Sequence, residues 1–316
     1  MTQQQREPAR EMARGKWRGL LAQWLDAHAL SGKHGPCPIC RNGKDKFRFD
    51  DLEGVGSWIC NTCGAGDGIH LLQHLNDWTF KEAAEYIAQH AGRMQAMPSK
   101  PGRSDADIRD SLRKVWAGGQ KIERTDPAGL YLGRRCAVED FPACLRYHPN
   151  LPYVDDDGVV TMHPALLAQV LGADDAPVTI HRTYLTLDGQ QAAVASPKKL
   201  MTPIRKLENV AIRLRPIEDG WLGVAEGIET AYCAEGKHGA PVWSCISAGL
   251  LKTFRPPAEV TLLAICGDND RSFTGQAAAY ELARAVTNMG VECRVMIPEQ
   301  TGKDWADVAE SHALLP

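Results

Sequence analysis

Two sets of side chains in this chain have types and spacings that could do chemistry. The first is acidic: Glu226 closes the run Trp221-Leu-Gly-Val-Ala, and Asp268 and Asp270 follow Val260-Thr-Leu-Leu-Ala-Ile-Cys-Gly. Each run is apolar, too short for a helix and bounded by turn residues, which is how a buried parallel strand reads where it delivers polar groups to the C-terminal edge of its sheet. Carboxylates gathered there suit magnesium, a hard cation that takes oxygen ligands and shares them with phosphates. Asp304, in Gly302-Lys-Asp-Trp-Ala-Asp307, follows the next strand-like run and falls at the same edge. The second set is sulfur. Cys37-x-x-Cys40 and Cys60-x-x-Cys63 are separated by nineteen residues, and each pair places two thiolates on one side of a turn, half of a tetrahedral site; together they predict one structural zinc. His34, His70 and His74 are possible substitute ligands, the last two four apart on one helical face, but four cysteines already complete the tetrahedron.

The elements that must hold these groups follow from periodicity. Between the cysteine pairs, Lys44-Asp-Lys46-Phe47-Arg48-Phe49-Asp50 alternates basic with aromatic residues, and Glu53-Gly-Val-Gly56 turns the chain back into Ser57-Trp58-Ile59. That is a zinc-ribbon hairpin, with Phe47 and Phe49 on a packed face and Lys46 and Arg48 on a face free to meet phosphate. A helix is expected across Trp17, Leu20, Leu21, Trp24 and Leu25, another from near Ile69, and a third at Thr79, where Thr79 and Glu82 form a capping box ahead of Ala83, Ala84, Ile87 and Ala88. Gly92 ends the third helix, and the Pro-, Gly- and Ser-containing stretch 93–104 reads as a linker.

Residues 105–216 read as a basic α+β region: a helix carrying Ile108, Leu112, Val115 and Trp116, a helix start at Thr125-Asp-Pro127, and strands at Leu145–Pro149 and from Thr179 to the turn at Asp188-Gly189. From 217 the pattern becomes regular, with strands at 221–226, 241–246, 260–266 and 291–297, helices at 228–236 and 275–289, and a turn at Ser247-Ala-Gly249. In the second helix Ala278, Leu282, Ala285, Val286 and Met289 share a face, with Gly290 as the cap. This is a parallel α/β sheet. The expected organisation is therefore an α/β multidomain chain: a zinc-ribbon domain with flanking helices over 1–92, the linker 93–104, the α+β middle over 105–216 and the parallel sheet over 217–316.

Composition narrows the function classes. A length of 316 residues suggests two or three domains, and 44% apolar residues is ordinary for a globular protein. The formal net charge of −3 argues against coating nucleic acid by bulk charge, so any such contact must come from local basic patches. No segment approaches the roughly 18–20 apolar residues of a membrane helix, Met1-Thr-Gln-Gln-Gln-Arg6 does not read as a leader, and six of the ten cysteines are scattered singly; a reducing, cytoplasmic setting without a membrane is expected.

These residues carry a resemblance. Glu226-Gly227, Asp268-x-Asp270 and Gly302-Lys-Asp304 look like the Toprim domain, the metal-binding module shared by topoisomerases and the bacterial type of DNA primase. The stretch from His34-Gly-Pro-Cys37 to Cys63-Gly-Ala-Gly-Asp67-Gly68 resembles the zinc ribbon of phage and plasmid primases and primase-helicases, and Leu145-Arg-Tyr-His-Pro149 and His181-Arg-Thr-Tyr-Leu185 look like the same group. The likeness runs from about residue 34 to the end. It implies synthesis of a short RNA primer on single-stranded DNA from ribonucleoside triphosphates: Glu226 organising the catalytic site, Asp268 and Asp270 binding metal, and Asp304 a further acid, with two magnesium or manganese ions. Lys46, Arg48 and Trp58 would face nucleic acid, and Arg146, Arg182, Lys198 and Lys199 the nucleotide or the primer–template backbone. Many such primases have an aspartate four residues after the glutamate; here Thr230 stands there beside Glu229, so either Glu229 substitutes or the site holds metal with fewer acids. No Gly-x-x-x-x-Gly-Lys-Ser/Thr loop occurs, which points to a separate replicative helicase or polymerase as partner. The alternatives are a non-catalytic single-stranded-DNA-binding accessory or inhibitor of replication, and, less favoured, a Toprim nuclease or topoisomerase relative.

Overall fold

The computed structural model of the protein describes residues 3–41, 43–99 and 101–313; Asn42, Lys100 of the expected linker and the terminal residues 1, 2 and 314–316 lie outside the described residues. The chain forms two compact units, Met1–Arg103 and Ser104–Pro316.

In the first unit the order is α1 (Gln3–Ala13), α2 (Trp17–Leu21), β1 (Phe47–Phe49), β2 (Trp58–Cys60), β3 (Gly64–Gly66), α3 (Gly68–Asn76) and α4 (Phe80–His90). The three strands make an antiparallel sheet in the order β1-β2-β3, with Phe47 opposite Cys60 and Phe49 opposite Trp58. The alternation in β1 acts as the sequence predicts: Phe47 and Phe49 are buried and Arg48 is half-buried. The stripe from Trp17 to Leu25 is not one helix, since α2 ends at Leu21 and the chain turns. Trp17 is fully buried, and its ring lies so close to Gly68 that an added Cβ there would meet it at 2.2 Å. Helix α4 starts on the expected capping box: the Thr79 N–H donates to Glu82 Oε2 at 2.7 Å and the Glu82 N–H to Thr79 Oγ1 at 3.4 Å. Ala83 and Ile87 are buried, whereas Ala88 faces solvent.

The second unit runs α5 (Asp105–Ala117), α6 (Pro127–Cys136), β4 (Leu145–Val154), β5 (Val160–Leu171), β6 (Pro177–Tyr184), β7 (Lys198–Leu200), β8 (Trp221–Ala225), α7 (Ile228–His238), β9 (Val242–Ser244), α8 (Ala248–Leu251), β10 (Leu262–Cys266), α9 (Thr274–Thr287), β11 (Glu292–Met296) and α10 (Trp305–Ala313). Strands β4 to β7 form an antiparallel sheet in chain order, and a second, parallel sheet has the order β11-β10-β8-β9. Antiparallel bridges Leu171–Ala211 and Ile212–Ser244 stitch the two sheets together, and one core holds Leu166 and Val170 of β5 with Ile228 and Ala231 of α7 and Val242 of β9. Packing therefore makes residues 105–216 and the parallel sheet a single body. On α9 the buried face is Ala278, Ala279, Leu282, Ala283 and Val286, and Met289 is exposed instead of sharing it. In the parallel sheet the winding reverses between β8 and β10, the topological switch point where open α/β sheets bind ligands beyond their strand ends.

Candidate metal centres

The first centre is built on the β1–β2 hairpin. Strand β2 ends at Cys60, and the opposing turn carries Cys37 and Cys40. The sulfurs of Cys37 and Cys63 are 3.7 Å apart and those of Cys40 and Cys60 are 4.0 Å apart, with all four within 4.8 Å of one another. Zn–S bonds of about 2.3 Å at tetrahedral angles put sulfurs about 3.8 Å apart, so the four thiols fit one structural zinc. No histidine belongs to this cluster.

The second candidate lies at the switch point. Cys266 pairs with Ala225, so Glu226 and Gly267-Asp268 leave the sheet side by side. The Ser244 hydroxyl donates to the Glu226 carbonyl at 2.8 Å and fixes that end of β8. A side chain at Gly267 would meet Ile297 Cδ1 at 2.7 Å and Ala279 Cβ at 2.9 Å, so any larger residue at this exit from β10 would have to push Ile297 and α9 aside. Asn269 and Lys303 form an antiparallel bridge that draws the Asp304 loop onto the Asp268 loop.

Electrostatics reports the convergence. Burial, then the charges of Glu226, Asp304 and Asp270, push the Asp268 carboxyl up to about 8, and Asp268 Oδ1 is buried with no hydrogen-bond partner among the described residues. Asp304 is also raised, first by burial. Asp270 Oδ2 accepts from the Gly275 N–H in the first turn of α9 at 3.0 Å, and Asp304 Oδ1 accepts from the Asp307 N–H at 2.8 Å. A buried oxygen without a donor, surrounded by like charges, suits a cation. Among the described residues only the cysteines bring three or more ligand atoms within 4.8 Å, so the carboxylates stand wider apart than the thiols.

Glu229 does not join them. It is buried, and both its oxygens are taken: Tyr131 OH of α6 donates to Oε1 at 2.5 Å and Lys198 Nζ of β7 to Oε2 at 2.8 Å. Burial raises its pKa, but the Lys198 charge and the two hydrogen bonds outweigh that and hold it down at about 2. Thr230, the next residue, instead turns its hydroxyl to Asp304 Oδ2 at 3.4 Å. The partners of Glu229 speak against the alternative in which it substitutes for the missing aspartate.

The residues expected to meet nucleic acid or nucleotide divide. Trp58 is 3% exposed, stacks on Phe47 and gives its indole N–H to the Asp67 carbonyl at 3.0 Å, so it builds the ribbon's core and offers no face for a base; this corrects the expectation. Arg48 pairs with Asp50 at 2.7 Å, and Lys46 reaches Thr62 Oγ1 at 3.3 Å. Arg146 lies over the Trp116 ring and donates to the Trp116 carbonyl, Arg182 donates to Tyr184 OH and the Leu200 carbonyl, and Lys199 donates to the Val154 carbonyl over the Tyr153 ring. Lys198 combines a buried acidic partner with an exposed side chain.

Comparison with known families places these features. Residues 32–69 match the family described as the zinc-binding domain of primase-helicase, residues 221–313 match the Toprim domain, and residues 106–212 match a domain of unknown function. The chain carries a primase zinc ribbon and a Toprim domain. Their occurrence together bears out the resemblance to primases of the phage and plasmid type. Among solved structures, the zinc-binding and RNA polymerase domains of the Aquifex aeolicus primase are 13% identical, over 96% of this chain and 81% of that one, with a TM-score of 0.44. The primase fragment of the bacteriophage T7 primase-helicase protein is 13% identical over 89% and 95% of the two chains, with a TM-score of 0.38. A DnaG primase catalytic domain bound to single-stranded DNA is 16% identical over 66% and 78%, with a TM-score of 0.44. In this Toprim domain the ends of β8 and β10 present Glu226 and Asp268, and the loop after β11 presents Asp304.

Tyr131 and Gln191 are the residues the sequence did not single out. Gln191 Nε2 donates to Tyr131 OH at 2.9 Å, and both line an open recess of about 560 Å³ with Arg134 and Arg135. Tyr131 and Glu229 lie 98 positions apart, and no short-range pattern signals such a pairing.

Proposed function

We propose that the protein is a DNA primase that joins ribonucleotides on a single-stranded DNA template by metal-dependent nucleotidyl transfer. The observation that carries this reading is the meeting of Glu226 and Asp268 at the switch point, with Asp268 Oδ1 buried and without a donor beside two further acids. Glu226, Asp268 and Asp270 would hold the catalytic magnesium or manganese, with Asp304 supporting a second ion. When bound, such ions lower the barrier to attack of a 3′-hydroxyl on an α-phosphate and neutralise the departing pyrophosphate. The chain's own contribution is to fix these acids on strand ends, to strip water from Asp268 by burial, and to keep cations such as Lys198 close by for phosphate. The ribbon would grip the template through the exposed side of its basic strand.

The test uses purified protein, a single-stranded template, labelled ribonucleoside triphosphates and magnesium or manganese. Short RNA products that disappear in Glu226→Gln and Asp268→Asn support the reading, while template cleavage would make the protein a nuclease. The wider spacing of the acids and the neutral Thr230 favour one second reading, a non-catalytic single-stranded-DNA-binding protein, which predicts tight binding and no product with any divalent metal.

A further inference from the structure

Glu229 is a buried carboxylate whose neighbour in sequence faces the acidic edge while its own side chain faces the antiparallel sheet. A buried charge has to be paired, and this one is paired twice: by the Lys198 ammonium on one oxygen and by Tyr131 OH, itself held by Gln191, on the other. Its side chain is 5% exposed and that of Lys198 is 39% exposed, so the ion pair is closed at its carboxylate end and reachable at its ammonium end. An ammonium has three donors and Glu229 uses one of them. Thr230, next to Glu229 on the first turn of α7, donates to Asp304 Oδ2 at 3.4 Å, so the turn that holds the Lys198 ammonium also borders the acidic edge. A lysine on a flexible four-carbon stem loses much of its freedom when its head is tied to a fixed partner, and one so tied is preorganised for an anion.

We propose that Glu229 and Tyr131 are positioning residues that aim the Lys198 ammonium at the triphosphate of the incoming nucleotide, beside the recess lined by Arg134 and Arg135. The inference rests on the primase reading and gives Glu229 a role in nucleotide binding, not in holding metal. It differs from a purely structural ion pair between the two sheets, which would affect stability and leave nucleotide affinity alone.

The full chain is assayed in two ways: primer synthesis with magnesium, and calorimetric titration of ATP with calcium in place of magnesium. Lys198→Met is expected to raise both the nucleotide KM and the ATP Kd about 10-fold, the loss of one charge-assisted hydrogen bond, while the magnesium concentration giving half-maximal rate stays within about 2-fold. Glu229→Gln should raise KM and Kd in the same sense and add less than about 2-fold in a Lys198→Met background, since both act on one contact. A Glu229→Gln protein that needs more magnesium but keeps its KM and Kd overturns the proposal, and so do Glu229→Gln and Lys198→Met effects that simply multiply. Should Glu229→Gln fail to fold, Tyr131→Phe, which keeps the ion pair and removes one hydrogen bond, decides the matter: unchanged KM and Kd sink the idea. ATP binding that depends on Lys198 in a protein that makes no primer would refute the primase reading and leave only a nucleotide contact at Lys198; primer synthesis with Lys198→Met at wild-type KM and Kd would overturn the inference and leave the primase reading standing.

Discussion

The thiols of the ribbon and the carboxylates of the parallel sheet are both candidate metal centres, and they are assembled in opposite ways. Cys37 and Cys63, the outermost ligands of the first, are 26 positions apart, and a three-stranded hairpin brings them within 3.7 Å. The acids of the second come from the ends of β8 and β10 and the loop after β11, and nothing local connects them. The sulfur site is closed, with every ligand supplied by the chain, as a structural zinc requires. The acidic edge is open and under-satisfied, holding Asp268 Oδ1 without a donor amid repelling charges. A closed site spends its metal on folding, whereas an open site keeps coordination positions for a substrate.

The sharpest way to break this contrast is to remove zinc. Stripping it with a strong chelator, or Cys60→Ser, should unfold residues 32–69, because structural zinc supplies on the order of 10 kcal/mol to such small domains; elemental analysis should find one zinc per chain and circular dichroism should follow its loss. Retained ribbon structure without metal would abolish the distinction.

The next effect is catalytic. Asp268→Asn should lower primer synthesis by at least ~100-fold while the melting temperature of the metal-free protein holds or rises, since the substitution removes a destabilised charge from a buried, acidic position. A large fall in melting temperature would mean that Asp268 is structural, like the cysteines.

The pH dependence sharpens the same point without any activity measurement. A carboxyl raised from its ordinary 3.8 to about 8 binds its proton more readily in the folded protein, so the stability it contributes is complete below about 3.8 and is lost as pH rises through about 8. The metal-free melting temperature should therefore decline from pH 5 to pH 8, Asp268→Asn should flatten that decline, and magnesium should offset it most at the alkaline end. Glu229 works in the other direction: its pKa is lowered from 4.5 to about 2, so its contribution is present above 4.5 and is lost only as pH falls towards 2.

Smaller effects belong to packing and surface. Gly68→Ala would press a methyl group into the Trp17 ring and should cost about 1–3 kcal/mol of ribbon stability, measured by chemical denaturation. Arg48→Ala breaks a half-exposed pair with Asp50 and should change stability by less than about 1 kcal/mol, with its main effect on template binding at low salt.

Several features were legible in the residues alone because their physics is local. The Cys-x-x-Cys pairs, the alternation in Lys46–Phe49, the Thr79–Glu82 box and the apolar runs ending in Glu226 and Asp268 each involve neighbours a few positions apart, where side-chain type and backbone geometry are tightly coupled. Strand β5 escaped because it does not alternate: residues 160–162 are exposed in succession and 164–168 are wholly buried, so the period-2 signal is missing. Trp58 misled because an aromatic beside basic residues reads equally as a stacking platform or as core, and only the packing of Phe47 and Asp67 against it settles which.

What the sequence determined by itself is therefore the inventory and its local frames: four thiols on paired turns, and acids at the ends of buried strands. Only the tertiary structure decided which of those groups meet. It set β8 beside β10, bound the Asp304 loop to the Asp268 loop, and turned Glu229 away to Lys198 and Tyr131, because strand order and the burial of an isolated charge depend on partners up to about a hundred positions away.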